Sequence, residues 1–156
     1  MFALLESGMR IVNIDESWIN DTTYFYKLWT PKHEACTFPM KPVSPRVSVI
    51  AAIDTDGKIW YSLTQETTNS EVFCLFLKHL IEQLDDELGE WRSNTAFLLD
   101  GARYHTSEES RIEMAKMGLR IIYTAGYSYT SSPIERLFAA MKRGELNPTR
   151  KSLGRK

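Results

Sequence analysis

The chain has 156 residues, 43% of them apolar, and 19 basic against 20 acidic side chains give a formal charge of −1. That length and composition make one domain with its own core, and the near-neutral whole gives no sign of nucleic-acid binding. No apolar run approaches the roughly 20 residues of a membrane span; Glu6 interrupts the one early apolar stretch, and no basic n-region follows Met1, so neither a membrane helix nor a secretory leader is expected. Cys36 and Cys74 have no Cys or His at zinc-ligand spacing and read as reduced thiols of an intracellular protein. Charge is unevenly distributed. Residues 1–141 carry a balance of −6, whereas 142–156 hold six basic residues and one acid, Glu145. Such a basic tail is either a solvated terminus or an arm that contacts phosphates.

In chain order, Arg10 to Asp15 reads as a short β run. Residues 21–45 are irregular, with Pro31, Pro39, Pro42 and Pro45, although Tyr24 to Trp29 could form a strand. A loop this long inside one domain is usually functional or mobile. Val47 to Ile53 and Lys58 to Leu63 are two strands joined by the hairpin signal Asp54-Thr55-Asp56-Gly57. A calcium loop starting at Asp54 fails, because its sixth and twelfth positions hold Ile59 and Gln65. The capping box Thr68-x-x-Glu71 opens a helix in which Phe73, Phe76, Leu77, Leu80, Leu84 and Leu88 recur at helical spacing up to Gly89. Ala96 to Leu99, apolar without alternation, fits a strand buried on both faces. Thr106-x-x-Glu109 opens a second helix that stops at Gly118, and Leu119 to Tyr123 is a strand. Ser132-Pro133-x-Glu135 opens the last helix, with serine at the cap and proline at the first helical position. The order is β, a long excursion, a β-hairpin, then α, β, α, β, α: an α/β chain.

Three acids stand out. Asp15 ends the run Ile11-Val12-Asn13-Ile14, Asp100 ends Ala96-Phe97-Leu98-Leu99, and Glu135 lies in the first turn of the last helix, with 34 residues between it and Asp100. Two strand-end aspartates and a helix-start glutamate can converge on one crevice. Three converging carboxylates form an oxygen-rich site for hard divalent cations. Such a site can hold two ions about 3.5–4 Å apart and activate water or a 3′-hydroxyl against a phosphodiester. Each acid also has an ordinary explanation. An aspartate after a strand is often a loop residue or a helix cap, and Glu135 occupies the glutamate position of a capping box. Glu16 and Asp54 compete as alternative acids. On a helical wheel Glu135 falls about 100° from Ile134, at the rim of the apolar stripe, while Arg136 points away.

The phrases around the acids resemble the catalytic domain of mariner-like transposases and their bacterial insertion-sequence relatives. Ile14-Asp15-Glu16-Ser17 is similar to the strand ending in Asp-Glu-Ser/Thr. Leu98-Leu99-Asp100-Gly101-Ala102-Arg103-Tyr104-His105-Thr106 is similar to Asp-Asn-Ala-x-x-His-Thr/Ser. Tyr127-Ser128, then Ser132-Pro133-Ile134-Glu135-Arg136-Leu137-Phe138 up to Lys142-Arg143, resembles Tyr-Ser-Pro-x-x-Asn-Pro-Ile-Glu and its basic helix. The resemblance spans about Arg10 to Arg143, and the 34-residue interval fits. Two departures are plain: Gly101 replaces the usual asparagine, and Tyr129-Thr130-Ser131-Ser132 replaces Pro-x-x-Asn.

The resemblance implies a ribonuclease H-like fold, a mixed five-stranded sheet flanked by helices, over residues 1–143, with 21–45 as an inserted loop and 144–156 as a basic tail. It implies DNA strand cleavage and strand transfer by Asp15, Asp100 and Glu135 with magnesium or manganese, two ions in all. His105 maps onto a histidine common after the second acid, either a helix-entry residue or a contact to DNA or the active site. Lys27, Lys32, Lys41, Arg46, Lys142 and Arg143 are candidate DNA contacts, with Tyr24, Tyr26 and Trp29 for stacking; His33 and His79 have no motif. The expected partners are DNA, and either a second copy of the chain or a separate helix-turn-helix protein or domain for end recognition, with no membrane. Family members normally carry such modules before the first strand, so a fragment, a piece of a split protein or a domesticated core is expected. Its place would be the nucleus of a eukaryote or the cytoplasm and nucleoid of a bacterium. Two other functions remain: a catalytically silent DNA-binding or assembly module derived from a transposase, and another ribonuclease H-like nuclease, which the Ser-Pro-Ile-Glu-Arg phrase disfavours.

Overall fold

A computed structural model describes residues 6, 8–19, 47–87, 89–124 and 132–142. The elements are β1 (Arg10–Ile19), β2 (Val47–Asp54), β3 (Ile59–Thr64), α1 (Ser70–Glu87), a 3-10 turn (Trp91–Ser93), β4 (Thr95–Leu99), α2 (Arg103–Thr106), α3 (Glu108–Lys116), β5 (Ile121–Tyr123) and α4 (Pro133–Lys142). The strands form one sheet in the order β3-β2-β1-β4-β5. β1, β2 and β3 pair antiparallel, whereas β4 and β5 join parallel to β1. The inserted loop 21–45, the strand considered at Tyr24 to Trp29, Arg46, Leu88, the Tyr127 to Ser131 phrase, Arg143 and the tail 144–156 lie outside the described residues.

β1 is longer than its apolar run predicts. Its parallel pairing with β4 stops at Asn13↔Leu98, but its antiparallel pairing with β2 continues from Val12↔Asp54 to Ile19↔Val47. Asp15 therefore lies inside the strand, not at its end. Two adjacent acids interrupt the apolar pattern and mimic a boundary, while β2 holds the backbone extended past them. The Asn13↔Leu98 register, carried two residues further, brings Asp15 level with Asp100 at the edge where β4 leaves the sheet.

Strand alternation sorts the core into two layers. Val12, Ile14, Ile50, Ala52, Trp60, Phe97 and Leu99 face α1, which buries Phe73, Phe76, Leu77, Leu80 and Leu84 against them. Val49 and Ala51 face the opposite side and pack on Ile134 and Phe138 of α4. β4 is buried along its whole length, as its unbroken apolar run requires. The hairpin forms as expected: Asp54 N–H donates to the Lys58 carbonyl at 3.0 Å, and Gly57 takes a φ of +84°.

Three helix starts differ from the capping boxes read in the sequence. Asn69, not Thr68, caps α1, its Oδ1 accepting from Val72 N–H at 2.9 Å. Ser107, not Thr106, caps α3 by accepting from Ser110 N–H at 3.2 Å, because Arg103–Thr106 forms the separate helix α2. At α4, Ser132 Oγ donates instead of accepting, and the helix is capped from another element. Ser, Thr and Asn are all good caps, so a run of them leaves the boundary ambiguous by one or two residues.

Candidate active site

The site lies where β1 and β4 part and α4 begins. Asp15 is half-buried; its Oδ1 accepts from the Glu16 N–H at 2.8 Å. Burial pushes its carboxyl up to about 7, and the neighbouring charges of Glu16, Asp100 and Glu135 push in the same direction. Asp100 and Glu135, on two other elements, thus both lie within electrostatic reach of Asp15. Glu135 is exposed, and its carboxylate accepts no hydrogen bond among the described residues. The reciprocal bond of a capping box, from Glu135 back to the Ser132 backbone, is not formed; the backbone N–H of Glu135 donates to the Ser132 carbonyl at 3.2 Å.

Asp100 is held through one oxygen. Its Oδ1 accepts from Ala102 N–H at 2.9 Å and meets His105 Nδ1 at 2.7 Å, while Oδ2 has no hydrogen-bond partner among the described residues. His105 is 0% exposed. Its other nitrogen, Nε2, meets Glu16 Oε1 at 3.0 Å, and Glu16 Oε2 accepts from the Tyr104 hydroxyl at 2.7 Å. Phe73 packs on the imidazole with ring centroids 4.4 Å apart. Burial opposes a charge on this imidazole, yet the bonds to Asp100 and Glu16 overcome it and raise the pKa to about 9. The imidazolium in turn holds the Asp100 carboxyl below the usual carboxylate range. Burial, with the Glu16 charge next, pushes the Tyr104 hydroxyl up, so it remains a donor.

His105 has neither nitrogen left for DNA and no exposed surface, which removes it from the candidate DNA contacts. Asp54 also leaves the list of competing acids. Its Oδ2 accepts from Arg10 Nε at 2.9 Å and its Oδ1 accepts from the N–H groups of Asp56 and Lys58 at 2.9 and 2.8 Å, so it is a buried ion-pair and turn residue. Glu16 is not interchangeable with Asp15, because it serves the His105 network on the other face of the sheet. Lys142 ends α4, partly exposed; Lys27, Lys32, Lys41, Arg46 and Arg143 lie outside the described residues. Asn13 and Tyr104 were not singled out from the sequence. Asn13 had a signal: a polar side chain inside an apolar strand is buried and must be satisfied.

Oxygen donors from Asp15, Asp100 and Glu135 suit a hard divalent cation in kind, and burial, with the nearby carboxylates adding to it, raises the Asp15 carboxyl. As placed, the side chains are more open than a coordination sphere: among the described residues no three Asp, Glu, His or Cys side chains come together closely enough to hold one ion.

The DDE superfamily endonuclease family matches residues 10–153. The chain belongs to that family. Among solved structures, the pre-cleavage Mos1 transpososome matches with a TM-score of 0.70 at 24% identity, over 92% of this chain and 46% of that one. The Mos1 transposase paired-end complex with left transposon end matches at 0.69 and 25% identity, over 92% and 45%. The catalytic domain of Mos1 mariner transposase matches at 0.66 and 24%, over 94% of this chain and 67% of that one. The fold is therefore the ribonuclease H-like fold of the mariner catalytic domain, and the chain spans about half the length of the Mos1 chains in the DNA complexes. Comparison with curated proteins finds no significant sequence match.

Proposed function

We propose that this DDE superfamily endonuclease is the catalytic core of a transposase that cleaves DNA strands and transfers them, with Asp15, Asp100 and Glu135 as its acidic triad. The observation that carries the reading is the shared placement of the acids: the Asn13↔Leu98 register brings Asp15 level with Asp100 where β4 leaves the sheet, and α4, whose first turn holds Glu135, packs on the same face. Mos1 structures have been solved with manganese, with magnesium and with transposon-end DNA, which supports the same cations and substrate here. Bound divalent ions would supply activation of a water or 3′-hydroxyl and stabilisation of the leaving oxygen.

The chain's own groups do the rest. Asp15 and Asp100 each commit one oxygen to the protein and present the other. Glu135 presents from α4 a carboxylate that accepts no hydrogen bond among the described residues. The His105 imidazolium restrains Asp100 from behind and leaves the front of the site to anionic substrate and cation. End recognition would fall to a second copy of the chain or to a separate helix-turn-helix protein or domain, and Lys142 is a candidate phosphate contact at the end of α4.

The test is manganese-dependent nicking of duplex DNA by wild type, Asp100→Asn and Glu135→Gln. Each variant is expected to lose about 10²-fold or more, the scale for removing one transition-state-stabilising group. Wild-type rates in either variant would overturn the assignment.

A second reading, a catalytically silent DNA-binding or assembly module, is favoured by one observation: the acids as placed do not ring a single ion. Salt-sensitive DNA binding without magnesium or manganese binding would select it.

A further inference from the structure

Asn13 touches the segments that carry all three acids. It lies in β1 two residues before Asp15, only 4% exposed, on the face that packs against α4. Its Nδ2 donates to the Leu98 carbonyl at 3.3 Å, two residues before Asp100. Its Oδ1 accepts from Ser132 Oγ at 2.6 Å and from the Ile134 N–H at 3.3 Å, immediately before Glu135. The Leu98 carbonyl accepts only and the Ile134 amide donates only, so the two ends of the Asn13 amide are not interchangeable.

The first N–H groups of a helix have no partner within it. α4 takes an acceptor for one of them from β1 rather than from its own cap residue. That choice ties the helix start, and with it Glu135, to the strand that carries Asp15. Apolar packing of Ile134 and Phe138 on Val49 and Ala51 holds α4 on the sheet, but such contacts are non-directional and tolerate small slides. A hydrogen bond at each end of one short side chain does not.

We infer that Asn13 is a positioning residue that sets the distance between the Asp15, Asp100 and Glu135 carboxylates, and so the site's affinity for divalent cations. The inference rests on the triad reading above. A leucine at this position fills similar volume and makes none of these bonds, whereas an aspartate keeps the acceptor for Ser132 and Ile134.

The experiment is manganese binding by calorimetry, paired with amide hydrogen exchange, on wild type, Asn13→Leu, Asn13→Asp, Ser132→Ala and Glu135→Gln. Asn13→Leu is expected to bind manganese about tenfold more weakly, the lower end of what loss of a ligand-orienting partner costs. Exchange at Ile134 and Glu135 should quicken in this variant while β1 and β4 stay protected. Asn13→Asp should keep the start of α4 protected. Manganese affinity within twofold of wild type in Asn13→Leu, with Glu135→Gln weakened, would overturn the role of Asn13 and leave the triad standing. Unchanged affinity in Glu135→Gln, or no binding by wild type, would overturn the triad and the inference with it. If Asn13→Leu does not fold, Ser132→Ala decides: a few-fold loss of affinity supports the tether and an unchanged affinity refutes it.

Discussion

Asp15 and Glu16 are neighbours in β1 whose carboxylates serve opposite faces of the sheet. Asp15 shares the face of α4 and is acted on by Asp100 and Glu135, whereas Glu16 meets the buried His105 Nε2 at 3.0 Å beside α1 and α2. The two-residue period of a strand gives adjacent acids different work. One stays available, its charge opposed by burial and then by like charges; the other is spent on holding the imidazolium that restrains Asp100.

His105→Ala should therefore destabilise the metal-free protein by about 3 kcal/mol, because it strands the Glu16 carboxylate, whose side chain is 8% exposed, without its cation. Urea denaturation at neutral pH measures it. A change under about 0.5 kcal/mol, the scale of surface substitutions, would show that the network holds nothing. The sign with pH is fixed as well. The folded pKa of about 9 exceeds the ordinary 6.5, so the contribution of His105 is fully present below 6.5 and is lost as pH rises through about 9. The stability gap between wild type and His105→Gln should close over that range, and a constant gap would contradict it.

Asp15 titrates with the same sign over a lower window. Its folded carboxyl, raised from 3.8 to about 7, costs stability that appears as pH climbs through that window. Without metal, Asp15→Asn should melt higher than wild type at pH 8 and show no such gain at pH 3.5. A lower melting temperature at pH 8 would mean that the carboxylate is not frustrated in the fold.

Much of this arrangement was legible in the sequence. The apolar runs of β1 and β4 and the helical spacing of Phe73 to Leu84 specify the layers, and the motif phrases name Asp15, Asp100 and Glu135 as the candidate triad. What escaped was decided by long-range contacts. The extent of β1 past Asp15 depends on β2, 30 or so residues away in the chain, and pairing partners leave no local mark. The placement of Asn13 against Ser132 joins residues that no periodicity links. Glu16 and Asp54 look like equal competitors until the buried His105 and Arg10 are seen beside them.

Asp54 offers a control outside the site. Its side chain is fully buried against Arg10, and Asp54→Ala leaves that guanidinium unpaired and the hairpin without its acceptor. The expected loss is about 3 kcal/mol, read by thermal or chemical denaturation, with manganese affinity of the folded fraction unchanged. Weakened manganese binding would return Asp54 to the candidate ligands.

Gly57→Ala tests the turn alone. A φ of +84° is open to glycine and strained for alanine, although a Cβ there would meet nothing within 4 Å. The expected cost is about 1 kcal/mol from backbone strain. No cost would mean the hairpin turn relaxes to another conformation.

Whether the acids of β1, β4 and α4 share a cation is read by anomalous diffraction from crystals soaked in manganese. Anomalous density is expected at about 2.1 Å, the octahedral distance for a small hard dication, from carboxylate oxygens of both Asp15 and Asp100, with Glu135 completing the site. Density at another place, or none at these carboxylates under saturating manganese, would contradict a shared cation.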